Sequence, residues 1–431
     1  MRALVRRSPI YYGWVILGTG IVANAVSAGA TFWVVTIYIP VVSDDFGVNR
    51  FPVVFAFAFG QTVSALIGPL IGRYIDRRGA RGPLFFGAVL VPVGLLLTAQ
   101  STEVWQLFVG WGLVSAARAL IMPIPYNWLL TRWFEGRRRQ ATLGVVTVGF
   151  GLGGAVVLPL LKLVESHSGW QGAMVASALL VFVVHGAGAL IVANRPGDVG
   201  LTLDRSRGAG AAAGDEPDWG FTAGAAMRTW AFWMVSLGLM LFFTGQGSVA
   251  TLAFDFFNSE GVAGATAIVA IGAIIRTVAR LPIGLLMSRI DRVFGLAMIV
   301  SVTQAIALGV LLTSTGGTGI ALYLVFWGLG GAFAPMLEPL LINKAFGVRH
   351  FGAVSGTVAL VSFGGQMFGT IGGARLFDAT QSYQIPFALY AIGFLLAMLL
   401  FAASSLAVRS RAHQLAAEAS GRGRAERPGA R

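Results

Sequence analysis

The 431-residue chain contains no cysteine and only 11% charged residues. The first lack excludes disulfides and thiolate metal sites. The second excludes an ordinary soluble domain, in which about 25% of residues are charged. The four histidines (His167, His185, His350 and His413) are scattered and form no metal-ligand spacing. No nucleophile–base constellation appears, so neither an enzyme nor a cofactor or metal is expected. The N-terminus MRALVRRSPIYYGW has no small-residue cleavage site before its apolar run. It reads as an uncleaved first helix rather than a signal peptide.

What is abundant is apolar: 56% of residues are hydrophobic and mean hydropathy is +0.76. A membrane helix needs about 20 apolar residues, and the chain has room for about twelve. The runs are continuously apolar, without the period-two alternation of a membrane barrel, so they are helices. The spans are placed near 13–38, 51–72, 84–101, 103–130, 141–161, 170–193, 229–256, 262–287, 293–313, 318–342, 351–374 and 381–408. The stretch 194–228 is dominated by Gly, Ala, Pro and charges and reads as a cytoplasmic linker. The expected fold is therefore all-α, with a six-helix half 1–193, the linker 194–228, a six-helix half 229–408 and a cytoplasmic tail 409–431. The tail is expected to be disordered beyond its first turns.

Charge placement orients the chain. Of 31 lysines and arginines, 25 fall on the termini and alternate loops that share one side. Only Arg50, Lys162 and Arg375 fall on the other side. By the positive-inside rule both termini are cytoplasmic, and the membrane is the plasma (inner) membrane. The net charge of +13 is then topological and calls for no nucleic-acid partner. An internal repeat supports two halves. Pro69-Leu70-Ile71-Gly72 ends the second span, and Pro282-Ile283-Gly284 ends the eighth.

The remaining three cations are Arg118, Arg276 and Arg280, each well inside an apolar run. A charge at that depth costs about 3 kcal/mol on insertion scales and usually faces a solute path. Arg276 and Arg280 lie one turn apart on one helix face, where like charges repel and an anion would relieve them. Within the spans only Glu338 and Asp255 could pair with these cations, and both are off-centre. The competing readings are snorkelling for Arg280, an acid pair for Arg276 and a structural bond for Arg118. For Arg118 that bond would go to carbonyls freed by Pro123 and Pro125. Asn24, Gln61, Gln246 and Gln366 are polar residues at mid-span. They are either further site residues or helix–helix bonds. His185 reads as structural or lipid-interface.

The loop Gly72-Arg73-Tyr74-Ile75-Asp76-Arg77-Arg78-Gly79-Ala80-Arg81 resembles the G-x-x-x-D-R-x-G-x-R loop of the major facilitator superfamily. Five other segments resemble its monocarboxylate and oxalate:formate branch. They are Tyr11-Tyr12-Gly13-Trp14-Val15, the stretch from Arg132-Trp133-Phe134 to Gly144, Arg195-Pro196-Gly197-Asp198-Val199-Gly200-Leu201, Phe346 to Gly352, and Leu376-Phe377-Asp378-Ala379-Thr380. This resemblance implies alternating access between two halves. It also implies a conformational latch formed by Gly72, Asp76, Arg77, Gly79 and Arg81. Asp76 would pair with an arginine or accept from a helix N-terminus.

Ala279-Arg280-Leu281-Pro282-Ile283-Gly284 resembles the branch's eighth-helix segment, whose arginine binds the substrate carboxylate. Arg276 departs from the branch, which often has an aspartate there for a coupled proton. The eleventh helix lacks the lysine of oxalate exchangers. The expected partners are a small organic anion, the bilayer and protons, with the protein monomeric. Glu338 and Asp255 are the candidate proton carriers. Proton symport and anion exchange both remain open. The alternative on the same fold is efflux of amphipathic compounds, which three cavity arginines disfavour for cations.

Overall fold

The structure is a computed structural model that describes residues 11–201, 219–289 and 292–425. Twelve spans are present. The first six are α1 (Tyr12–Asp45), α2 (Arg50–Arg78), α3 (Arg81–Ala99), α4 (Val104–Arg118, then Ile124–Trp133), α5 (136–168) and α6 (170–191). After a short helix Ala223–Met227 come α7 (Trp230–Ser259), α8 (Ala265–Leu286), α9 (Val293–Thr313), α10 (Gly317–Phe346), α11 (Phe351–Thr380) and α12 (Gln384–Ala425). Gly169 separates α5 from α6 with φ of +69°, a turn that suits a residue without Cβ. The last helix, α12, runs on to Ala425. Most of 408–425 is Ala, Arg, Gln, Leu and Glu, strong helix formers, with Gly421 and Gly423 near its end.

Packing recurs with a shift of six helices. α3 lies on α4 and α6 as α9 lies on α10 and α12. α2 lies on α4 as α8 lies on α10. α1 lies on α5 and α6 as α7 lies on α11 and α12. The first and second groups of six meet through two equivalent crossings, α2 on α11 and α5 on α8.

Glycine makes these crossings close. A Cβ on Gly72 would overlap the Gly352 carbonyl oxygen, and one on Gly284 would lie 3.0 Å from the Val145 nitrogen. The glycines of the internal repeat therefore occupy equivalent crossings, where backbones touch. Both crossings lie toward the end of the bundle that carries the arginine-rich loops.

Two helices are locally unwound. α1 makes a π turn at Gly29–Trp33 and α5 makes one at Gly153–Val157. The turns abut: a Cβ on Gly153 would lie 2.7 Å from the Gly29 nitrogen. Such turns often mark functional sites, and these bring the Phe32 and Trp33 rings onto Phe150 of α5.

Candidate functional site

Arg280 lies on α8 beside the α5 crossing. It is 9% exposed, and its Nε has no hydrogen-bond partner. Its guanidinium carbon sits 5.8 Å from the Phe150 ring centroid. Such a contact supplies about 1–2 kcal/mol when desolvated, well short of replacing a carboxylate. Gly151 leaves room for the head, since a Cβ there would come within 2.9 Å of Arg280 Nη1. Phe150 is fixed by Trp33, whose Nε1 donates to the Phe150 carbonyl at 3.1 Å.

Arg276 points toward α10 instead. Its guanidinium carbon lies 5.8 Å from the Trp327 ring, and its stem runs past Gly331 close to Gln246. Among the described residues, neither Arg276 nor Arg280 has a carboxylate within salt-bridge reach. Glu338 is half-buried on α10 and accepts from Ser355 Oγ of α11 at 2.9 Å. Asp255 is exposed near the end of α7.

The structure brings Arg118 and Gln61 together. Arg118 Nη2 donates to Gln61 Oε1, joining α4 to α2, rather than to carbonyls freed by the prolines. One turn from Gln61, Phe57 touches Phe32, which touches Phe150 beneath Arg280. Asn24 serves as a helix–helix bond, with Nδ2 donating to the Val146 carbonyl at 3.3 Å. Gln246 donates to Gln304 Oε1 at 2.5 Å, and Gln304 donates on to the Phe326 carbonyl at 3.2 Å. The side chain of Gln366 lies outside the described residues. His185 is fully buried and bonded to Ser27 Oγ at 2.7 Å, a structural position.

Sequence reading missed four contributors. Gln304 is another mid-span polar residue and carries the same signal that singled out Gln61. Phe150, Trp33 and Trp327 have no signal of their own among 30 phenylalanines and 11 tryptophans.

At the arginine-rich end, Asp76 accepts from the backbone N–H of Gly352 at 3.0 Å and of Ala353 at 2.8 Å. These are orphan donors of the first turn of α11, which has no side-chain cap of its own. Trp128 Nε1 of α4 also donates to Asp76, at 3.0 Å. Of the two partners expected for Asp76, the helix N-terminus is the one observed. The rest of the loop is fastened within its own half. Asn194 Oδ1 accepts from the backbone of Ala80 and Arg81, and Arg81 Nε donates to the Ala189 carbonyl. A Cβ on Gly79, at φ of +85°, would collide with Asn194. Arg77 is exposed.

Twelve membrane spans, a glycine-lined contact between two sets of six, and the buried Arg280 whose Nε finds no partner at that contact are the features of a multi-pass membrane transporter. The family model of the Major Facilitator Superfamily matches residues 21–370, and the chain belongs to that superfamily. It is 25% identical over 363 residues to the oxalate:formate antiporter of Oxalobacter formigenes, covering 82% of this chain and 83% of that protein. It is 24% identical to monocarboxylate transporter 3 of Rattus norvegicus, covering 87% of this chain and 76% of that protein. The match to human monocarboxylate transporter 14 spans only 36% of this chain and 30% of that one, at 26% identity. Among solved structures, the fold is similar to the transporter FucP in its outward conformation. The TM-score is 0.68 at 13% identity, covering 91% of this chain and 99% of that one. It is also similar to the human organic anion transporter MFSD10, with a TM-score of 0.65 at 14% identity, covering 92% and 100%.

Proposed function

We propose that the protein moves a small organic anion, a mono- or dicarboxylate, across the plasma (inner) membrane by alternating access. Arg280 grips the carboxylate, Arg276 raises the local positive potential, and the Arg118–Gln61 pair lines the path from the other half. The observation that carries this reading is the buried Arg280 head, left without a hydrogen bond or a carboxylate among the described residues. A guanidinium retains its charge and presents parallel donors that match a carboxylate. An anion entering the site would satisfy what the protein leaves open. The relatives named for oxalate, formate and monocarboxylates point the same way.

The division into halves 1–193 and 229–408 joined by the linker 194–228 belongs to this proposal, as does a cytoplasmic location for both termini. In that orientation the α2–α11 and α5–α8 crossings close the cytoplasmic end. The Asp76 contacts with α11 then act as the latch of an outward-facing state.

The decisive measurement is carboxylate uptake into proteoliposomes. Arg280→Ala should lower it at least about tenfold, since a hydrogen bond to a charged group is worth roughly 1.5–3 kcal/mol. Unchanged uptake would remove Arg280 from the site. Coupling is tested by imposing a pH gradient. Glu338 is the better-placed acid, being half-buried on a helix beside α11, whereas Asp255 is exposed. In a proton symporter, Glu338→Gln should abolish the response to the gradient. An anion exchanger should instead require substrate on both sides and ignore the gradient.

A further inference from the structure

The α10–α11 turn is held from two directions. On one side lies the first half of the chain. Arg132 Nη2 donates to the carbonyls of Val348 at 3.3 Å and Arg349 at 2.8 Å, while its head lies 5.4 Å from the Trp128 ring. Asp76 binds the amides just beyond, at Gly352 and Ala353. On the other side lies the end of the linker. Trp219 O accepts from the N–H of Val348 at 3.1 Å and of Arg349 at 3.3 Å, and Phe221 N–H donates to Phe346 O at 2.9 Å. Gly220 and Gly347 form a backbone bridge, and the Phe221 ring stands edge-on to Phe346.

The peptide unit joining Val348 to Arg349 therefore serves both sides. Its N–H goes to the linker and its carbonyl goes to Arg132. Two bonds through one peptide polarise each other and fix its plane. The turn needs this support. It follows Gly347 at φ of +77°, where the chain reverses between two 30-residue helices. The linker contact is also built closely. A Cβ on Gly220 would lie 2.8 Å from the Arg349 nitrogen, and one on Gly347 would meet the Trp219 carbonyl.

We propose that Trp219–Phe221 is a strap that holds the α10–α11 turn in the shape Arg132 and Asp76 recognise. The inter-half linker thereby sets how readily this end of the transporter opens. Loosening the strap turns the Val348 and Arg349 carbonyls away from Arg132 and weakens the closed state without touching the anion site. The proposal rests on alternating access but not on the identity of the solute.

The test uses the absence of cysteine. Two introduced thiols, Arg78→Cys on α2 and Lys344→Cys on α10, carry spin labels at exposed positions on opposite halves. Their distance distribution is read in the full-length protein in lipid. Gly220→Val should raise the population of the long, open-end distance several-fold. Gly224→Ala, where a Cβ meets nothing within 4 Å, should leave it unchanged. Phe221→Ala is the second variant in case the valine prevents folding. It keeps the backbone, removes the ring on Phe346 and should shift the population in the same direction. Asp76→Asn is the control for the latch. If it opens this end while neither folded strap variant does, the strap is refuted and the latch stands. If Asp76→Asn has no effect either, the reading of this end as a gate is refuted with it.

Discussion

At the residue scale, three arginines set deep within the spans have three different fates. Arg118 is answered by Gln61, a neutral partner on a neighbouring helix. Arg276 lies against Trp327. Arg280 lies against Phe150 with its polar edge unfilled. These differences predict graded effects on transport. Arg280→Lys keeps the charge but loses the planar fork, so uptake should fall between wild type and Arg280→Ala. Phe150→Ala removes a face worth about 0.5–2 kcal/mol to the cation and should weaken apparent substrate affinity by up to roughly thirtyfold. Concentration series in proteoliposomes measure both, and an Arg280→Lys variant as dead as the alanine would argue for a shape-only role. The depth and charge of these arginines were legible in the sequence. Their partners were not, because the side chains that answer a charge come from helices remote in the chain.

At the element scale, glycine and glutamine set how the helices meet. The Gly72 and Gly284 crossings are equivalent but not equally tight. An alanine at Gly72 would overlap the Gly352 carbonyl, whereas one at Gly284 would press on Val145 at 3.0 Å. Gly72→Ala should therefore open the arginine-rich end more than Gly284→Ala, as read by the accessibility of a single thiol at Lys344. Equal effects would mean that the two crossings share the load. Inside the second group of helices, Gln246 and Gln304 bond one another in a buried setting. Gln304→Leu strands Gln246 and should lower stability by about 1–2 kcal/mol. Replacing both with leucine should be milder than either change alone, because no polar group is then left unsatisfied. Thermal unfolding of the three variants decides this. The repeat that located Gly72 and Gly284 was visible in the sequence. That each faces a second glycine, Gly352 and Gly144, was not.

At the scale of the whole molecule, topology makes the simplest prediction. In the cysteine-free chain a thiol at Arg78 should react with an impermeant reagent only from the cytoplasmic side, and one at Ser166 only from outside. Labelling of both from one side would overturn the orientation drawn from the arginines. The sequence by itself determined that the chain is a bundle of twelve membrane helices, because apolar runs about 20 residues long have no other low-energy solution in a bilayer. It also determined which loops share a side, because arginine placement is a property of composition along the chain. It could not determine where α12 ends, since high helix propensity carries a polar tail onward without any apolar signal. Nor could it pair Asp76 with the first turn of α11, Trp128 with Asp76, or the linker with the α10–α11 turn. Those contacts join residues from 52 to 277 positions apart, or use backbone groups that every residue carries. Only the tertiary structure decides which remote N–H or carbonyl lies within hydrogen-bond reach, and the candidate latch and the unfilled Arg280 head are consequences of that proximity.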